Sequence, residues 1–263
     1  MRTLIAGPWV GEFGWELISW QGWVRARSEH YDRVVVSAPA GHEALYETAT
    51  VFVPHNMSGK RDCWRLLTPN IVEMKRIEEA LTKYPKCDRL LPGGYVKPQH
   101  QKFIKLGDVS CVVPEQRYDV LLHLRGAVGK RSYHAWNVPD AAIVARGLSK
   151  LKIGCIGTQA GFVEGTDDLR GLPLNRLCDL IAAAKLVISP ASGPALLSGL
   201  CGTPYLCWTD GGYRAAVRER DDVRTRGSWN PLDTPCTVLV QKDWKPDPGV
   251  LLHHANEMLR KRR

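Results

Sequence analysis

Several signals that identify common classes of protein are absent from this chain of 263 residues. No apolar run approaches the ~18 residues that a membrane-spanning helix needs. The first residues lack the basic and long apolar stretches of a signal peptide, so we expect a cytoplasmic protein. The eight cysteines include no C-x-x-C pair and no zinc-like spacing, so we expect reduced, mostly buried thiols.

Sequence motifs of four enzyme classes are absent as well. The chain has no G-x-x-x-x-G-K-[ST] loop and no G-x-G-x-x-G turn, which argues against a kinase-like NTPase and a dinucleotide-dependent dehydrogenase. It has no G-x-S-x-G elbow and no H-E-x-x-H helix, which argues against a serine hydrolase and a zinc protease.

An excess of basic residues gives the chain a net charge of +9 at pH 7. A charge of this size favours a polyanionic partner such as nucleic acid, an anionic membrane surface or a phosphorylated substrate. The basic residues are spread along the chain, so an ordinary, slightly basic enzyme is an equally good interpretation of the charge alone.

Short buried strands alternate with helices in two successive series, separated by a region from 87 to 116 rich in Pro, Gly and Lys. This alternation predicts an α/β protein of two doubly wound, Rossmann-like domains with parallel sheets and a cleft between them. We expect an acceptor-side domain over 1–115 and a donor domain over 116–263, with a last helix that packs back on the first domain. Ligands in such folds bind beyond the carboxyl ends of the strands.

The stretch from Leu172 to Trp208 contains a leucine-rich helix, a strand that ends near Ser192-Gly193-Pro194, a helix of small residues, and Gly202-Thr203-Pro204. It resembles the donor-site region of GT-B glycosyltransferases, and of heptosyltransferase-like enzymes in particular. The upstream segment from His123 to Trp136 resembles the phosphate-facing loop of the same enzymes. The resemblance implies a GT-B fold and a nucleotide-sugar co-substrate bound by the second half of the chain.

The Ser192-Gly193-Pro194 turn has a physical reason to bind a pyrophosphate. A strand that runs through a glycine turn into a helix presents free N–H groups and the positive end of the helix dipole. Ser192 adds a hydroxyl, and Gly193 lets the ligand approach the backbone closely. An ordinary serine N-cap with proline in the first helical turn has the same residue spacing, so spacing alone does not distinguish the two interpretations.

Further donor-binding candidates follow two other predicted strands. Arg125, Lys130 and Arg131 lie in a glycine-rich loop, where fixed cations stabilise the charge on a departing nucleoside diphosphate. A solvated basic loop is an equal alternative. Thr158 and Gln159 are candidates for contacts with base or ribose. No D-x-D triplet is present to bind a metal-diphosphate complex, so we expect the nucleotide sugar to be used without a metal or other cofactor.

The segment PWVGEFGWELISW, Pro8 to Trp20, places two acids among aromatic residues directly after the first strand. Transfer of a sugar to a hydroxyl needs a base, and both Glu12 and Glu16 suit that role. By resemblance, Glu12 occupies the position where heptosyltransferase-like enzymes have a Gly-Asp base. Glu16 is equally explained as an acid at a helix N-terminus. Trp9 and Trp15 are candidates for stacking on the acceptor.

The acceptor itself stays open between two classes. Positive charge and scattered basic clusters favour DNA with hydroxymethylated bases, as in phage DNA modification, in which case the compartment is the host cytoplasm. The heptosyltransferase resemblance favours lipopolysaccharide or another glycan. Inversion by a single displacement is expected in both cases. A nucleotide-sugar-binding module that has lost catalysis is a third interpretation.

Overall fold

The structure is a computed structural model that describes residues 1–57, 71–84, 86–125, 136–158, 161–214 and 219–261. Three predicted donor-binding residues, Lys130, Arg131 and Gln159, lie outside these residues. The chain divides into two compact units, Met1–Ile104 and Lys105–Arg263.

The first unit is built on a parallel sheet with the strand order β3-β2-β1-β4. The run of three valines in β2 is buried on both faces, as expected of a central parallel strand. The segment GHEALYETA, 41–49, has a helix-like composition but forms only a single 3-10 turn, Glu43–Leu45. The elements are β1 Thr3–Ala6, α1 Phe13–Trp15, a π-helical turn Glu16–Trp20, α2 Gln21–Ser28, β2 Arg33–Pro39, β3 Val51–His55, α3 Ile71–Thr82 and β4 Cys87–Leu90.

The second unit contains a six-stranded parallel sheet with the order β12-β9-β8-β5-β6-β7 and a short antiparallel hairpin, β10-β11. Its elements are β5 Val120–His123, α4 Val138–Gly147, β6 Ile153–Gly157, β7 Asp167–Arg170, α5 Leu174–Ala183, β8 Leu186–Pro190, α6 Gly193–Cys201, β9 Tyr205–Thr209, β10 Tyr213–Arg214, β11 Glu219–Arg220, α7 Asp221–Arg226, β12 Cys236–Val240 and α8 Pro248–Arg260.

The core of the second unit lies where α4 and α8 cover one face of its sheet. Leu251 and Ala255 of α8 are fully buried in the same cluster as Leu122 and Trp208. Trp136 packs edge-on against Trp208, with ring centroids 5.1 Å apart. Leu251 and Ala255 therefore anchor α8 in the core of the second unit.

Both sheets reverse their direction of growth once. In the first unit β2 and β3 extend the sheet on one side of β1, and β4 pairs with the other side. In the second unit β6 and β7 extend from β5 on one side, and β8, β9 and β12 on the other. Such reversal points are where doubly wound folds bind ligands. The two parallel sheets confirm the predicted α/β class. Among the residues that the structure describes, every helix is too short or too polar to cross a membrane.

Candidate functional site

The reversal point of the second sheet is bridged by a hydrogen bond between its two central strands. His123 ends β5, and its Nδ1 lies 3.0 Å from the Ser189 hydroxyl of β8. Ser189 donates its own proton to the Pro190 carbonyl at 2.7 Å, so the serine oxygen accepts from the histidine Nδ1–H. This bond selects the imidazole tautomer and leaves Nε2 as the acceptor nitrogen.

Burial and the positive charge of Arg125 lower the pKa of His123 to about 3. His123 is therefore neutral at physiological pH, and Arg125 supplies the fixed charge beside it. Gly157, at the end of β6, makes room for the imidazole: its φ is +117°, and a Cβ there would lie 2.6 Å from the His123 ring. Sequence reasoning missed His123 because a lone histidine at a strand end has no motif around it.

Helix α6 begins beside this bridge, directly after β8. Ser192 holds the N-cap position in an extended conformation, and Pro194 lies in the first turn. The Ser192 hydroxyl donates to Pro190 O at 3.0 Å instead of accepting from the described N–H groups of the first turn. Ser192 is therefore an N-cap by position, as the alternative interpretation of the sequence expected, but its side chain makes no capping hydrogen bond. The positive end of α6 faces the carboxyl edge of the sheet.

The donor candidate Thr158 and the nearby acid Asp168 have different surroundings. Thr158 directly follows β6 and is exposed at the same carboxyl edge. Asp168 lies inside β7, where its carboxylate accepts hydrogen bonds from the Arg170 guanidinium at 2.8 Å. These bonds lower the pKa of Asp168 to about 2. Thr158 therefore lies at the same edge as His123 and Ser192, whereas Asp168 pairs with Arg170 in an outer strand.

In the first unit, the loop after β1 folds back onto β2. The backbone N–H of Trp9 donates to Ser37 O at 2.9 Å, and the buried Trp9 ring stacks on Trp20 with centroids 5.6 Å apart. Trp15 is half-buried and meets Tyr95, which follows β4, edge-on at 5.9 Å. Trp15 and Tyr95 therefore flank the reversal point of this sheet, and Trp15 is the more accessible of the two tryptophans predicted to bind the acceptor.

The two glutamates of this loop have unlike environments. Glu12 is half-buried at the N-cap of α1, where its backbone carbonyl accepts from the N–H groups of Trp15 and Glu16. The Glu16 side chain is fully buried. Its Oε1 accepts from the Tyr46 hydroxyl at 2.7 Å, and its Oε2 lies 2.7 Å from His42 Nδ1.

His42 follows β2 at the same carboxyl edge and is 23% exposed. Burial lowers the pKa of His42, but the hydrogen bond to Glu16 and the charges of Glu16 and Glu43 outweigh burial and raise this pKa above its usual value. Burial and Glu16 also raise the pKa of Tyr46 well above its ordinary range. Sequence reasoning missed His42, because the helix-like composition of 41–49 hides that this residue lies at the strand ends.

Solved structures with the same fold include glycosyltransferases. ADP-heptose lipopolysaccharide heptosyltransferase II of Escherichia coli superposes with a TM-score of 0.64 and 13% identity, over 100% of this chain and 99% of that chain. A family 9 glycosyl transferase from Veillonella parvula gives 0.67 and 10% identity over 99% and 97%. E. coli heptosyltransferase WaaC with ADP gives 0.58 and 11% identity over 98% and 100%.

These similarities confirm the fold predicted by resemblance: the chain has the fold of GT-B glycosyltransferases, and heptosyltransferases are among the proteins that share it. No family model and no curated protein sequence matches the chain. The similarity to known proteins is thus one of structure along the whole chain, with very few shared residues.

Proposed function

We propose that the protein is a glycosyltransferase that moves a sugar from a nucleoside diphosphate sugar to an acceptor hydroxyl. The observation that carries the proposal is the reversal point of the second sheet. There the N-terminus of α6 with Ser192, Gly193 and Pro194 adjoins a neutral His123 and the cation Arg125. Helix N–H groups and a fixed cation are what a diphosphate leaving group requires.

The chemistry assigned to this edge is stabilisation of negative charge. When the bond between the anomeric carbon and the diphosphate oxygen breaks, its electron pair stays with the nucleotide. Arg125 and the first turn of α6 offset that charge, and the neutral His123 adds a polar contact without a further charge. Thr158 is proposed to contact the nucleoside, and Lys130, Arg131 and Gln159 keep the same donor role as predictions. No metal is included in the proposal, because the sequence has no D-x-D triplet.

For the donor we propose an ADP-linked sugar, and for the acceptor a glycan of the lipopolysaccharide kind. The support comes from the structural neighbours, whose names specify ADP-heptose, lipopolysaccharide or bound ADP. DNA with hydroxymethylated bases is the second candidate, supported by the net charge of +9. In both cases the acceptor hydroxyl needs a base from the first unit, where Glu12, Glu16 and Trp15 lie at the carboxyl edge.

A transfer screen tests this function. Purified protein is incubated with ADP-heptose and other nucleotide sugars in the presence of EDTA, together with lipopolysaccharide core, plain DNA or hydroxymethylated DNA. Mass spectrometry detects an added sugar. We expect the mass increase on the glycan. Transfer to the modified DNA alone would keep the enzyme class and replace the acceptor. Donor binding without transfer to any acceptor would indicate a binding module, and neither binding nor transfer would contradict the proposal.

A further inference from the structure

We propose that His42, oriented by the buried carboxylate of Glu16, is the catalytic base that takes the proton from the acceptor hydroxyl. This inference rests on the proposed glycosyltransferase function and assigns its proton-transfer step. It makes Glu16 a positioning residue, and it removes from Glu12 the role that the sequence gave it.

Glu16 cannot itself reach an acceptor. Its side chain is fully buried, and its two oxygens are already engaged, one by Tyr46 and one by His42. Both partners of Glu16 lie in the loop after β2, and together they fix the orientation of its carboxylate. Its contribution to proton transfer is therefore through the imidazole that it holds.

The imidazole of His42 is held in the tautomer that a base needs. Glu16 fixes Nδ1, so that a neutral ring carries its proton there and has its lone pair on Nε2. Nε2 makes no hydrogen bond to any residue that the structure describes, and the side chain is partly exposed. The edge of the Phe13 ring supports the imidazole from the loop after β1, with centroids 5.4 Å apart.

The position of the His42 ring in the fold also suits a base. His42 follows β2, and β2 pairs in parallel with β1, whose loop carries Glu12. Both residues therefore lie at the carboxyl edge of the first sheet, where doubly wound folds bind ligands. The charged side chains that act on the imidazole are Glu16 and, more weakly, Glu43. Both are negative, so both stabilise the imidazolium that forms when the base accepts a proton.

The proton-transfer step balances without a further reagent. The acceptor oxygen forms a bond to the anomeric carbon while the bond from that carbon to the diphosphate oxygen breaks. The hydroxyl proton passes to His42 Nε2, and the bonding electron pair leaves with the nucleoside diphosphate. The resulting imidazolium is paired with the Glu16 carboxylate and returns its proton to water after product release.

The test compares His42→Asn with His30→Asn. His30 is exposed and follows α2, before β2, so it lies at the opposite edge of the sheet. With the donor and acceptor found in the transfer screen, we expect kcat to fall by about 10²–10⁴ in His42→Asn, the range for loss of a general base, with ADP affinity unchanged. His30→Asn should keep wild-type kcat. Circular dichroism and a thermal melt check that both variants are folded.

Glu16→Gln provides a readout that a purely structural residue would not give. Loss of the carboxylate lowers the pKa of His42, so the acidic limb of the rate–pH profile should move to lower pH, and NMR of the imidazole should show the same shift. A kcat within about threefold of wild type in His42→Asn, together with loss of turnover in Glu12→Gln, would overturn the assignment and leave the enzyme class intact. Absence of transfer by the wild-type protein would overturn both.

Discussion

The two units each place a histidine at the carboxyl edge of a parallel sheet, and they surround it with opposite charges. In the first unit His42 is paired with the carboxylate of Glu16, and its pKa is raised. In the second unit His123 is buried near Arg125, and its pKa is lowered to about 3. The same side chain is thereby prepared to accept a proton in one unit and to remain neutral in the other.

Under the proposed function, this difference assigns the two tasks of a sugar transfer, proton removal and leaving-group stabilisation, to different units. A group whose environment favours the protonated form suits the acceptor, which must lose a proton. A neutral ring beside a fixed cation suits a diphosphate, because the positive charge of Arg125 stays in place and the His123 imidazole does not change its protonation near pH 7. Environments that move the pKa values of two similar groups apart are a general guide to acid–base assignments.

After His42→Asn, the largest effect on turnover is expected from the cation of the second unit. Arg125→Met should lower turnover by about 10²–10³, the range for loss of one group that stabilises a developing negative charge. It should also raise the pKa of His123, which NMR of the imidazole would detect. Arg146→Met, at an exposed position in α4, is the control and should leave both quantities unchanged. Equal activity of the two variants would contradict the leaving-group role.

Next in size is the steric fit around His123. Gly157→Ala adds a Cβ 2.6 Å from the imidazole ring at a φ of +117°, and we expect it to lower the free energy of unfolding by about 3 kcal/mol. Gly165→Ala is the matched control, because Gly165 also has a positive φ, of +84°, but open space around it. It should cost only the conformational strain, about 1 kcal/mol. Urea denaturation measures both, and equal losses would mean that His123 does not constrain this position.

In the first unit, Tyr46→Phe sharpens the role of Glu16. Removal of the hydroxyl leaves Glu16 Oε1 buried without the Tyr46 donor, which should lower the free energy of unfolding by about 2 kcal/mol. Tyr31→Phe removes a hydroxyl that donates to Asp88 at 2.8 Å at the surface, and should cost less than about 0.5 kcal/mol. Chemical denaturation of the two variants gives the comparison. Equal costs would show that the Glu16 cluster is not tightly organised.

His123 also imposes a pH dependence on the stability of the fold. Its folded pKa of about 3 lies below the unfolded value of 6.5, so the unfolded chain binds more protons between these limits. The contribution of the neutral His123 to the free energy of unfolding is complete above pH 6.5. As the pH falls, this contribution is lost at up to about 1.4 kcal/mol per pH unit. His123→Asn should remove this slope, whereas His253→Asn, at an exposed position in α8, should keep it. Parallel slopes in all three proteins would contradict the buried neutral state.

His42 acts in the opposite direction, because its pKa is raised. The stability that it contributes is complete below pH 6.5 and is lost as the pH rises through its folded pKa. The difference in unfolding free energy between wild type and His42→Asn should therefore shrink on the alkaline side. A difference that shrinks on the acidic side would contradict the pairing with Glu16.

The sequence was sufficient for the fold where buried strands and helices alternate clearly. It failed at β4 and β7, whose segments CDRL and DDLR carry too few apolar residues to indicate strands. Both are outer strands, which pair on one side only and need less apolar surface. The region from 87 to 116, interpreted as a joint, therefore begins with a strand of the first sheet.

The position of a candidate residue was predictable where it closely follows a strand. Ser192 and Arg125 lie at the carboxyl edge of the second sheet for that reason, because the carboxyl ends of parallel strands meet at one edge, while their roles in donor binding stay predictions. His42 and His123 were not found, since their roles depend on partners far away in sequence. Glu16 lies 26 residues from His42, and Ser189 lies 66 residues from His123. No local spacing encodes such pairs.

The division of tasks between the units is tested most directly by calorimetric titration of ADP into three proteins: wild type, Arg125→Met and His42→Asn. The account predicts that wild type and His42→Asn bind ADP with the same affinity, and that Arg125→Met binds at least about tenfold more weakly, a loss of about 1.4 kcal/mol. If His42→Asn loses ADP binding while Arg125→Met retains it, the assignment of the diphosphate to the second unit and of the proton to the first is wrong.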